Sequence, residues 1–154
     1  MISILASTGL ILMDQYGNPA VSINWLGALL ALIAAMVIGS LWYGPLFGKR
    51  WMKIVGHKRG ESSPLVPMLI MLVLAAVQVV VIAHFIAYTG YFYPDYSGVT
   101  TGLLTGLWAF VGFIIPLLVS NTVFSKGSTE LLKIHLGNQL VTLLAIGAIL
   151  GAVN

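Results

Sequence analysis

The stretch LVPMLIMLVLAAVQVVVIAHFIAY, from Leu65 to Tyr88, contains no Asp, Glu, Lys or Arg side chain in 24 consecutive residues. An α-helix of roughly 20 apolar residues crosses the hydrocarbon core of a bilayer. The stretch therefore predicts a transmembrane helix over 65–88. Ser63 and Pro64, which come just before it, are typical of residues at which a helix begins.

The rest of the chain has the same apolar character. Of its 154 residues, 59% are hydrophobic and 7% are charged, whereas a soluble domain carries roughly 25% charged residues. Three more apolar stretches predict spans over 23–43, 99–119 and 131–153. Gly44 and Pro45 predict the end of the first of these spans. The expected fold class is all-α and integral to the membrane, a bundle of four transmembrane helices.

Composition divides the chain into two parts. Residues 1–22 are an apolar arm followed by a polar turn, because Met1 to Met13 are too few to span a bilayer and lack the basic start of a signal peptide. Residues 23–154 are the four-helix membrane domain. We expect the arm to lie at the membrane interface or to pack against a partner. The chain has no cysteine, which excludes disulfides and thiolate metal sites.

The segment between Leu46 and Val55 carries apolar and basic side chains on opposite sides of a helical repeat. This pattern predicts a short amphipathic helix among the lipid headgroups, and an irregular basic loop is the alternative. Anionic headgroups are the expected partners of its basic side. The residues expected at the membrane interface are Trp42, Tyr43, Phe47, Lys49, Arg50, Trp51 and Lys53.

All seven Lys and Arg residues lie between the first and second spans or at the entry to the fourth. The first group has five members, and Lys126 and Lys133 form the second. The opposite side carries Asp14 and Asp95 and no basic residue. The positive-inside rule therefore predicts that both termini are non-cytoplasmic in the cell membrane. Topology signals of this kind explain the net charge of +3 without nucleic acid as a partner.

Glycines recur at intervals of four in the third and fourth spans. Small residues at this spacing allow two membrane helices to approach closely. The residues expected in such packing are Gly98, Gly102, Gly106, Gly112, Gly147 and Gly151. Pro116 lies one turn beyond Gly112 and interrupts the hydrogen-bond ladder of a helix. A substrate gate at these two residues is the alternative interpretation.

Four polar residues of the fourth span share one helix face, at i, i+3, i+4 and i+7. With a glutamine near the middle of the second span, the intramembrane polar stripe consists of His135, Asn138, Gln139, Thr142 and Gln78. The stripe either lines a track for a small solute, with a proton-relay step at His135, or joins helices by hydrogen bonds. The second hypothesis is favoured because no Asp or Glu lies within a predicted span.

His84 and Tyr88 share a face near the outer end of the second span. We expect an interfacial hydrogen bond there, because two side chains do not complete a metal site. The six methionines form no spaced cluster, so we expect no metal and no cofactor. The sequence contains no HExxH, GxSxG or phosphate-loop motif. We therefore expect a protein that is not an enzyme and has no catalytic residue.

Two segments of the first hairpin resemble a known family. Asn24-Trp25-Leu26 opens the first span, and Leu41-Trp42-Tyr43-Gly44-Pro45-Leu46-Phe47-Gly48-Lys49, followed by Trp51, closes it. These segments are similar to the signature of small prokaryotic membrane proteins grouped as a domain of unknown function, number seventeen sixty-one. The resemblance covers about residues 23–151. It implies a four-span membrane fold and no activity.

These features support two main hypotheses for the function. The first is a non-catalytic accessory subunit that packs against a larger membrane complex, which fits the glycine surfaces and the polar stripe without acidic groups. The second is a small transporter or channel, which needs symmetric association because four short helices rarely enclose a pathway. A lipid-handling protein that uses the basic amphipathic segment is a third possibility.

Overall fold

The computed structural model describes residues 21–56 and 65–153, and within these ranges the chain is helical with no strand. The helices are α1 (Trp25–Leu41), a first π-helical turn (Trp42–Leu46), α2 (Gly48–Val55), α3 (Leu65–Phe92), α4 (Gly98–Ala109), a second π-helical turn (Phe110–Ile114), α5 (Ile115–Phe124) and α6 (Thr129–Val153). The arm, His57, Lys58 and the predicted start signals Ser63 and Pro64 lie outside the described residues.

Four helical segments are long and apolar enough to cross a membrane, which confirms the predicted fold class. They are Trp25–Leu46, Leu65–Phe92, Gly98–Phe124 and Thr129–Val153, with mean hydropathy between 1.8 and 2.9. The second, third and fourth are longer than predicted by four, six and two residues in all, and the first begins two residues later and ends three residues later than predicted. The protein is therefore a multi-pass membrane protein.

Helix α6 is at the centre of the bundle. It contacts α1, α3, α4 and α5, and its most extensive contact is with α4. Leu143, Ile146 and Leu150 of α6 are almost completely buried, as is Val79 of α3. These side chains form the core, while most other apolar side chains face outward, as expected where lipid replaces water as the solvent.

The first span ends differently from the prediction at Gly44 and Pro45. The helix does not stop there but widens into the π-helical turn Trp42–Leu46, with Pro45 inside it. A wider turn accommodates a residue that has no N–H and whose ring crowds the preceding turn. The chain therefore reaches α2 after one residue, Phe47.

The third span contains the second π-helical turn, Phe110–Ile114, directly before Pro116 in the first turn of α5. The wider π-helical turn thus accommodates the absence of the backbone hydrogen bond that Pro116 cannot form. The helix continues to Phe124 rather than ending at Val119. Proline is tolerated in a first helical turn because its missing N–H would be unpaired there.

Candidate functional site

The glycines of α4 and α6 bring the two backbones into direct contact. A Cβ atom on Gly102 would overlap the carbonyl oxygen of Gly147, and one on Gly147 would overlap that of Gly102. A Cβ atom on Gly106 would lie 2.5 Å from the Leu143 carbonyl oxygen. Because the contacted atoms are backbone, they cannot rotate away, and these positions require glycine.

The three remaining glycines of the predicted packing set differ in their surroundings. Gly151 faces the carbonyl oxygen of Gly98, so the contact extends for one more turn. A Cβ atom on Gly112 would meet nothing within 4 Å, so the packing predicted for Gly112 is wrong. Gly112 lies in the second π-helical turn, which rotates it out of the helix face that Gly102 and Gly106 share.

Trp42 and Tyr43, at the end of the first span, contact α6 rather than facing only the headgroups. The Trp42 indole Nε1–H donates to the Ile134 carbonyl oxygen at 2.9 Å. Its ring also covers Gly137, where a Cβ atom would lie 2.7 Å from the ring carbon Cζ2. A large aromatic side chain thus packs against bare backbone of α6. Gly137 is therefore as necessary to this contact as Trp42.

Tyr43 makes the second contact between the end of the first span and α6. Its hydroxyl lies 2.7 Å from His135 Nδ1. The hydroxyl donates when Nδ1 carries no proton and accepts when it does. Tyr43 also meets Trp51 of α2 edge to face, with ring centroids 6.0 Å apart. Tyr43 therefore links α2, the first span and the polar stripe.

The deeper part of the polar stripe contains one side-chain pair and two buried residues. Gln78 Nε2 donates to Gln139 Oε1 at 3.3 Å, which joins α3 to α6. Asn138 is 7% exposed and Thr142 is 6% exposed. Asn138 Nδ2 is a buried donor with no hydrogen-bond partner in the part of the chain that the structure describes. The stripe is thus mainly interhelical, with one unsatisfied group.

Further contacts were not anticipated from the sequence. Asn24 caps α1 by accepting from the Gly27 N–H, and its side-chain amide donates to the Val153 carbonyl oxygen at 2.9 Å. Thr105 Oγ1, on α4, donates to Thr89 Oγ1 on α3 at 3.2 Å. Asparagine before an apolar run is a cap signal that the sequence did offer. The threonine pair had no local signal.

His84 and Tyr88 do not form a site together. His84 Nδ1 lies 2.7 Å from the Val80 carbonyl oxygen in its own helix, an internal bond rather than the predicted interfacial one. In the described ranges no three His, Asp or Glu residues come close enough to hold a metal ion.

Two shallow grooves lie between α3 and the third span. One has a volume of about 220 Å³ and lies beside Tyr88 and Thr89, and the other has a volume of about 260 Å³ and reaches Leu74 and Gln78. They share the lining residues Phe85, Ala109 and Phe113. The residues that line both grooves are mostly apolar.

The comparisons with known proteins point to one family. A model of the family described as "Protein of unknown function (DUF1761)" matches residues 26–151. The match includes the first-hairpin motif except Asn24 and Trp25, the lining residues of both grooves and the polar stripe. No curated protein and no solved structure matches the chain.

Proposed function

The chain belongs to the DUF1761 family of proteins of unknown function, and we propose that it is a non-catalytic subunit that packs against a larger membrane complex. The observation that carries this proposal is an exposed flank that no helix of the described ranges covers. We define the exposed flank as Val66–Leu74 of α3 together with α5.

The α3 part of the exposed flank is little covered by the described helices. All nine residues from Val66 to Leu74 are exposed, with exposures from 38% at Leu72 to 64% at Val66 among the large apolar residues. Only four residues of the 28 in α3 are buried, and all lie further along the helix. The first half of α3 is therefore less buried among the described helices than its second half.

The α5 part of the flank is similarly open. It contains no buried residue, and Leu117 and Phe124 are 66% and 88% exposed. At the base of the flank lies the 260 Å³ groove, with Gln78 in its wall. Lipid chains can cover apolar side chains, but a partner helix can also supply a hydrogen bond to an amide in hydrocarbon. Such a helix would place apolar residues at i, i+3 and i+4 in the groove.

Site-specific crosslinking tests this proposal. A photoreactive residue at Leu69, which is 61% exposed, is compared with one at Leu29 of α1, which is 53% exposed. We expect Leu69 to give a discrete protein adduct in native membranes and Leu29 to give lipid adducts. Native mass in mild detergent then identifies the assembly. A homogeneous monomer with lipid adducts alone at both positions would contradict a subunit role.

The alternative is a small oligomeric transporter that uses the polar stripe, and one observation favours it. Asn138 Nδ2 is buried and has no hydrogen-bond partner among the residues that the structure describes, and such a group commonly binds a water molecule or takes part in a function. His135→Gln in reconstituted vesicles tests this, because glutamine forms hydrogen bonds but does not exchange a proton near neutral pH. Loss of a flux that the unmodified protein supports would favour the transporter.

A further inference from the structure

Helix α2 carries three cations on one side. Lys49, Arg50 and Lys53 are all exposed, and a repeat of 3.6 residues per turn places them within about 100° of arc. The other side of α2 is turned toward the protein, since Trp51, Met52 and Ile54 are partly buried. The three positive charges therefore form one continuous surface.

These cations have no anionic partner among the residues that the structure describes. The two carboxylates in those ranges are Asp95, which follows α3 at the opposite end of the bundle, and Glu130, in the first turn of α6. Three positive charges that close together favour a multivalent or clustered anion.

The position of α2 determines which anions it meets. The first span, Trp25–Leu46, has 22 residues and a length of about 33 Å, close to the thickness of the hydrocarbon core. Helix α2 begins two residues later, at Gly48. If the first span crosses the hydrocarbon core, we expect α2 to start at the depth of the phospholipid phosphates.

The orientation of α2 is fixed by contacts with the bundle. A Cβ atom on Gly48 would lie 2.5 Å from the Tyr43 carbonyl oxygen, so the start of α2 packs against the end of the first span. Trp51 contacts the Tyr43 ring, and the Tyr43 hydroxyl bonds to His135 on α6. Gly56, with φ of 74°, ends the helix in the left-handed conformation. The basic side is thus held outward from the bundle.

We propose that Lys49, Arg50 and Lys53 bind the headgroup of an anionic phospholipid. Among the residues that the structure describes, α2 is the one short helix that carries three cations on one side, and this cluster complements an anionic headgroup. The inference does not depend on whether the protein also has a protein partner.

The test is a calorimetric titration. Short-chain phosphatidylglycerol is added to the purified full chain in neutral detergent, and the heat released gives the binding affinity. Lys49→Gln with Lys53→Gln removes two charges from α2. Lys126→Gln with Lys133→Gln is the matched control, because both lysines are exposed at the same end of the bundle but lie outside α2. We expect the α2 variant to bind about 30-fold more weakly, since each basic residue near an anionic surface contributes about 1 kcal/mol. The control should change less than threefold.

Further measurements separate a headgroup site from general charge. Short-chain phosphatidylcholine should bind at least tenfold more weakly than phosphatidylglycerol, and Lys49→Arg with Lys53→Arg should retain binding with unchanged helix content. Equal weakening in the α2 variant and the control would overturn the proposal, as would unchanged binding in the α2 variant. Loss of binding in the arginine variant with an intact fold would also overturn it.

Discussion

At the residue scale, two polar side-chain pairs within the spans join α6 to other helices. Tyr43 and His135 are 92 residues apart in the chain, and Gln78 and Gln139 are 61 apart. Each pair joins α6 to a different neighbour. Such bonds contribute about 0.6 kcal/mol on average in a membrane. Their larger effect is on specificity, because they fix the rotation of α6 relative to α1 and α3.

The Tyr43–His135 contact leads to the first prediction. His135→Gln retains a hydrogen-bonding side chain, so we expect the midpoint of thermal unfolding in detergent to change little. His135→Leu leaves the Tyr43 hydroxyl without this partner and should destabilise the fold by about 0.6 kcal/mol, with an upper value of about 1.7 kcal/mol. Tyr43→Phe is the reciprocal control. Equal destabilisation by glutamine and leucine would show that the contact does not depend on hydrogen bonding.

The unsatisfied amide of Asn138 leads to the second prediction. Asn138→Leu removes a buried donor that has no partner in the described part of the chain, so we expect stability to be unchanged or increased. Gln139→Leu removes a bond to Gln78 and should lower stability by about 0.6 kcal/mol. Chemical unfolding of both variants in the same detergent measures the difference. A larger loss in Asn138→Leu would show that this amide binds water or a ligand, which would support the transporter.

At the scale of elements, the contact between α4 and α6 depends on glycine, while both π-helical turns depend on proline nearby. The turn Trp42–Leu46 contains Pro45, and Phe110–Ile114 precedes Pro116. The first turn leads into α2, and the second contains Gly112, whose added Cβ atom would meet nothing within 4 Å. Both prolines thus lie at locally widened turns that do not end the spans.

The glycine contact gives the third prediction. Gly102→Ala and Gly147→Ala each add a methyl group where the facing backbone leaves no space, so we expect loss of folded protein or a large fall in unfolding temperature. Gly112→Ala is the matched control, since nothing lies within 4 Å of its added Cβ atom. Alanine is a better helix former than glycine by about 1 kcal/mol, and the control should fold at least as well as the unmodified chain. Folded yield by size-exclusion chromatography distinguishes these outcomes.

At the scale of the whole molecule, hydrophobicity was sufficient to predict the four spans and the all-helical class. The resemblance of the first hairpin was confirmed by the family match over residues 26–151. Contacts between residues far apart in the chain could not be predicted from the sequence. The spacing of residues along one helix identifies a helix face but not the neighbouring helix that covers it. Trp42 illustrates this limit, since an aromatic residue at a span end predicts an interfacial anchor, whereas its indole binds α6.

The path of the chain gives the last prediction. The four spans alternate in direction, so Lys53 and Lys126 lie at one end of the bundle and Asp95 lies at the other. The positive-inside rule predicts that the lysine end is cytoplasmic.

The chain has no native cysteine, and single cysteines can therefore be introduced without background labelling. In intact cells, a membrane-impermeant thiol reagent should label Asp95→Cys and leave Lys126→Cys unlabelled until the membrane is opened. Both sites are exposed, so labelling after lysis provides the control for accessibility. The reverse pattern in intact cells would place the basic surface of α2 on the outer leaflet and both termini in the cytoplasm.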